Sequence, residues 1–77
     1  MSSRQDLQSW IIESLQLNGA STVTEVAKII WHDHEADLRK SGDLFYTWQY
    51  DMRWQAQKLQ DQGKLVKRKS DRLWALP

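Results

Sequence analysis

The sequence predicts a mainly α fold with a small β-hairpin: a winged helix-turn-helix of three helices followed by a C-terminal two-stranded wing. Three observations carry this expectation. Three segments repeat apolar residues at helical spacing. Each segment is bounded by residues that start or stop helices. After Gly63 the pattern changes to two short extended runs, neither of which contains Pro or Gly.

The first helix is expected from Ser3 to Asn18, because Leu7, Trp10, Ile11, Ser14 and Leu15 share one face. Ser3 with Asp6 resembles a capping box, and Asn18-Gly19 tolerates the left-handed backbone that ends helices. Gly19-Ala20-Ser21 leaves room for a very short strand or an extended connection. Thr22-Val23-Thr24-Glu25 is a full capping box, and Val23, Val26, Ala27 and Ile30, with His34 as a further candidate, form the next apolar face. This second helix is expected over 23 to about 32, although the periodicity can be stretched through Leu38.

Residues 33–43 carry Asp33, Glu35, Asp37, Arg39, Lys40 and Asp43, with Ser41-Gly42 as the turn signal. They read as a polar loop with a short helical turn around Ala36–Leu38. Such a loop is longer than the tight connection of a helix-turn-helix. The third helix is expected from Leu44 to Gln62, with Asp43 as N-cap and Gly63 as terminator. Phe45, Trp48, Met52, Ala56 and Leu59 lie on its apolar stripe. Residues 64–68 and 72–76 read as strands joined by Lys69-Ser70-Asp71. One core is predicted from Leu7, Trp10, Ile11, Leu15, Val26, Ile30, Phe45, Trp48, Met52, Leu59, Leu65 and Trp74.

Seventy-seven residues make one domain, 1–77, with a thin core. The chain has no cysteine, so disulfides and thiolate metal sites are excluded and a reducing cytoplasm is the expected location. Five tryptophans supply the area a small core needs. The longest apolar run, Ile29-Ile30-Trp31, is too short for a signal or a membrane span, so a soluble protein without a membrane role is expected. The net charge of +1 conceals an asymmetry: residues 1–62 hold six Lys/Arg and nine Asp/Glu, whereas residues 63–77 hold five Lys/Arg and one Asp. A local basic patch of that kind attracts phosphates.

Two constellations bear on function. Along the third helix Tyr46, Gln49, Tyr50, Arg53, Gln57 and Gln60 form a second stripe without an acidic member. Gln and Arg pair bidentately with adenine and guanine edges, and Tyr bonds phosphates or packs on sugars. A polar face is also what any surface helix presents, and Asp51 and Asp61 nearby disfavour phosphate. At the hairpin, Lys67, Arg68, Lys69 and Arg72 place four cations within six residues. With Arg53 they would neutralise about four or five phosphates. The same charges could instead protect an edge strand from aggregation.

Other features carry less. His32 and His34 point to different sides of a helix and have no cysteine or second histidine pair to complete a metal site. Trp10, Trp48 and Trp74 fall on inward positions, whereas Trp31 and Trp54 lie off the main stripes, where either could be exposed and would then mark an interface. Trp54 is expected to pack where the third helix meets the hairpin. There is no nucleophile motif and no phosphate loop, so no enzyme activity, cofactor or small-molecule substrate is expected.

Over Tyr50–Leu65 the sequence resembles the N-terminal winged-helix domain of Mrr-type restriction endonucleases, with Trp54, Leu59, Gly63, Leu65, Trp74 and Leu76 at matching positions. The resemblance covers about residues 22–76 and rests mostly on core residues. It implies a DNA-binding module without the nuclease domain. Double-stranded DNA is therefore the expected partner, bound as a transcription regulator would bind it, with a homodimer or protein partner adding contact area. The alternative is a protein-interaction module on the same scaffold, motivated by the acidic body and by Trp31 and Trp54.

Overall fold

A computed structural model describes residues 4–77, so the Ser3 cap lies outside the described residues. Helix α1 spans Arg4–Asn18, α2 Val23–Arg39 and α3 Leu44–Asp61, followed by strands β1, Val66–Lys67, and β2, Trp74–Ala75. This is the predicted winged-helix order of three helices and an antiparallel hairpin. The strands are shorter than the sequence implied, with Val66 paired to Ala75 and Lys67 to Trp74. Ser21 forms an isolated antiparallel bridge with Trp74, through backbone bonds of 3.0 and 2.8 Å in the two directions. The expected extended connection thus becomes a third line of pairing that ties the wing to the helical body.

The capping box at Thr22 forms as expected. The Thr22 hydroxyl accepts from the Glu25 N–H at 3.1 Å, and the Glu25 carboxylate accepts from the Thr22 N–H at 3.0 Å. The bond from the Thr22 N–H, with the Thr22 hydroxyl beside it, holds the exposed Glu25 carboxyl below its ordinary pKa. Helix α3 closes in a Schellman arrangement: Lys64 N–H donates to Leu59 O and Gly63 N–H to Gln60 O, with Gly63 at φ +76°. Asp43 occupies the N-cap position of α3 but makes no side-chain capping bond.

The largest departure lies in residues 33–43. Helix α2 does not end near His32; it continues to Arg39 across a break at His34, whose φ and ψ are −127° and 18°. The His34 ring stacks on Trp10 with centroids 4.0 Å apart and planes 9° from parallel. Four residues further on, Leu38 is fully buried. An apolar line Ile30, His34, Leu38 therefore carries the helix through a charged stretch. Only Lys40–Asp43 connect α2 to α3, which restores the tight connection of a helix-turn-helix. Gly42 there has φ +62°, a conformation that L side chains rarely adopt.

Ten of the twelve predicted core residues are buried. Trp10 and Phe45 are half-buried, and Phe45 packs instead against the rings of Trp31 and Tyr46. Leu38, Leu44, Ala56 and Ala75 complete the interior. Helices α1 and α3 make the most extensive contact, which includes a 2.7 Å bond from Gln8 Nε2 to Gln55 Oε1. Ser14 is buried within α1 and its hydroxyl has no partner among the described residues. An unpaired buried hydroxyl costs about 1–3 kcal/mol, and alanine is also the better helix former. Ser14→Ala is therefore expected to stabilise the domain by about 1–2 kcal/mol, after a small loss for the void it leaves. A urea midpoint that does not rise, at unchanged m, would show that the hydroxyl is satisfied.

Candidate nucleic-acid interface

Helix α3 fixes the geometry of the candidate site. Its buried side consists of Leu44, Trp48, Asp51, Met52, Gln55, Ala56 and Leu59. Burial of Asp51 matters most, because helical spacing alone sets this carboxylate near the polar stripe. Asp51 is only 6% exposed and accepts a 2.8 Å bond from the Thr47 hydroxyl. Between Leu44 and Gln60, α3 exposes no carboxylate. The stripe residues Tyr46, Gln49, Tyr50, Arg53 and Gln60 all face solvent.

Gln57 has a different position. It is half-buried, with its amide Nε2 donating to Asp61 at 3.1 Å and its Oε1 accepting from Lys67 Nζ at 3.1 Å. Both ends of the amide are committed, so Gln57 joins the wing to α3 rather than offering a free bidentate edge. This link sets Lys67 beside the α3 stripe, and the ammonium also lies 5.7 Å from the centre of the Trp74 ring. The hairpin tip is not uniformly cationic. Arg68 pairs with Asp71 at 3.3 Å, while Lys69 and Arg72 are exposed and unpaired among the described residues. Arg72 has φ +59° in the turn leading into β2. Asp71 also accepts the Leu73 N–H at 3.1 Å, which shapes that turn.

Trp54 does not pack against the hairpin as expected. It is 53% exposed and stands edge-on to Tyr50, with ring centres 6.2 Å apart. Tyr46, Tyr50 and Trp54, spaced i, i+4, i+8, form an aromatic line along the outer face of α3. That spacing was present in the sequence, and the line extends the stripe by one residue. Trp31 is half-buried, stacked against Trp48 at 6.1 Å and 10°.

Among the described residues no helix is long and apolar enough to cross a membrane, and no group of three or more His, Cys, Asp or Glu could hold a metal ion. His32 pairs with Asp33 at 3.0 Å, and His34 is committed to Trp10. No protein-family model, curated protein or solved structure matches this chain.

Proposed function

We propose that this domain binds double-stranded DNA, with α3 in the major groove and the β1–β2 wing against the phosphate backbone, in the role of a transcription regulator acting in the cytoplasm. The observation that carries the reading is the α3 surface: Tyr, Gln and Arg face outward along its length, and its one mid-helix carboxylate is turned inward. The short α2–α3 connection supports it, since a helix-turn-helix presents its second helix in this way, and so does the Lys67–Gln57 link, which sets a basic wing next to that helix. The resemblance to the Mrr-type domain points the same way. Gln49 and Arg53 are the base readers, Tyr46 and Tyr50 contact sugar and phosphate, and Lys67, Lys69 and Arg72 hold the backbone. A single module buries about 600–1,000 Å² on DNA, so useful affinity needs a second copy or an adjoining partner.

The test is a labelled-duplex titration over a panel of sequences. Arg53→Ala is expected to cost about 1–3 kcal/mol on the preferred sequence and to relax discrimination at one position. An equal loss on every sequence would remove base readout and leave only phosphate contact. A second reading has its own observation. Tyr46, Tyr50 and Trp54 are 83%, 64% and 53% exposed in one line, and Tyr, Trp and Arg are the residues that dominate protein hot spots. Failure to bind any duplex at low salt would favour a protein partner docked on that line.

A further inference from the structure

A groove of about 430 Å³ opens between α2 and α3. Its apolar wall is aromatic: Trp31, Phe45 and Trp48 line it, with Met52 beside them. Trp31 and Trp48 stack on one another, with centroids 6.1 Å apart and planes 10° from parallel, so the half-buried Trp31 and Phe45 supply the open part of this wall while Trp48 and Met52 back it from the core. Two cations, Lys28 from α2 and Arg53 from α3, stand among the lining residues, and no carboxylate does. Neither cation forms an ion pair among the described residues. Glu25, one turn before Lys28 on α2, is hydrogen-bonded at the Thr22 cap and offsets part of the Lys28 charge without forming an ion-pair contact, which leaves Arg53 as the cation with no carboxylate partner among the described residues. A third cation, Arg39, already lies over this wall, 5.3 Å from the Trp31 ring centre and 5.6 Å from that of Phe45, and its charge is answered by Glu35 at 2.8 Å.

We propose that this groove binds a small flat aromatic carboxylate, with its ring against the aromatic wall and its carboxylate held by Lys28 and Arg53. The volume falls within the roughly 300–1,000 Å³ of small-ligand sites, and a groove walled by rings and rimmed by two cations outside any ion-pair contact selects an apolar anion over a neutral or cationic ligand of the same shape. The site has a consequence that rests on the DNA reading above. Gln49 and Arg53 belong both to the groove lining and to the outer stripe of α3. A carboxylate that holds the Arg53 guanidinium withdraws it from a guanine edge, so ligand and duplex compete, and the ligand acts as an inducer.

Naphthalene-1-carboxylate, naphthalene-1-carboxamide and 1-naphthylmethylamine share a ring and differ in charge, and tryptophan fluorescence reads their binding without any DNA. Saturable quenching by the carboxylate is expected, at least about tenfold tighter than by the carboxamide, as a charge-assisted bond implies, with the amine weakest. In a Lys28→Gln/Arg53→Gln variant, whose changes are on the surface, the carboxylate should lose that advantage while the carboxamide is unaffected. Equal binding of acid and amide, or an advantage that survives the double change, would overturn the site. Release of labelled duplex by the carboxylate is the second arm. Simultaneous binding of both would overturn the competition. No duplex binding in the absence of ligand would instead overturn the DNA reading, and the fluorescence titration would still decide the groove.

Discussion

Leu38→Ala is expected to destabilise the domain by about 2–5 kcal/mol, the cost of removing a buried leucine side chain and leaving a cavity. Leu38 is fully buried near the end of α2, at the foot of the short connection into α3. A domain of this size has about 4–11 kcal/mol of total stability, so the substitution removes a large part of it. At about 4–8 °C per kcal/mol, the melting temperature should fall by about 8–40 °C. Lys40→Ala, two residues away and exposed, should change stability by no more than about 0.5 kcal/mol. If residues 33–43 formed a polar loop, the two substitutions would be equivalent. Urea denaturation of both variants decides between the helix and the loop, because only a buried Leu38 separates them. The same variant should also weaken duplex binding at temperatures where it remains folded, since Leu38 anchors the end of α2 from which α3 is set.

The Leu38 region also shows where the amino-acid pattern stopped being readable. The capping box at Thr22 and the Gly63 terminator are local signals, and both formed as the residues implied. The α1 and α3 core faces were legible because four or five aliphatic and aromatic residues recur on each. Beyond Ile30, by contrast, α2 has only Ala36 and Leu38 as aliphatic residues among six charged or ionisable neighbours. Its inward face is completed by His34, an aromatic ring in contact with Trp10 rather than a polar group. Hydropathy alone cannot assign that role. The break at His34 is marked by neither Pro nor Gly.

Asp51 and Trp54 were misplaced for the complementary reason. A carboxylate is normally exposed and a tryptophan normally inside, and here tertiary contacts reverse both. The buried Gln55 accepts a bond from the half-buried Gln8 across the α1–α3 contact, so a polar residue occupies an interior position that binary patterning gives to an apolar one. Each reversal bears on function. With Asp51 inside and Trp54 outside, the α3 surface is more aromatic and less acidic than composition implied. The wing was legible as a hairpin, but its attachment through Ser21 and its link through Gln57 depend on contacts distant in sequence.

Salt dependence is expected to show the second large effect. Arg68 is answered by Asp71, which leaves Arg53, Lys67, Lys69 and Arg72 to meet phosphates. Lys67 gives one of its three donors to Gln57 and keeps two. Four phosphates at about 0.9 each give a slope of log K against log salt near −3.6, so affinity should fall about 150-fold between 50 and 200 mM salt. Lys69→Gln with Arg72→Asn removes two of the four, and asparagine tolerates the left-handed backbone at position 72. The slope should flatten to about −1.8, and the loss over the same salt range should shrink to about twelvefold. Folding should be almost unchanged, because these charges are exposed and unpaired among the described residues. Asp71→Asn is the counter-experiment. It keeps the side-chain oxygen that accepts the Leu73 N–H while releasing Arg68, so the slope should steepen by about 0.9 and low-salt binding should tighten. A slope indifferent to both changes would mean that the wing does not touch the duplex and that its cations serve only to keep an edge strand from pairing.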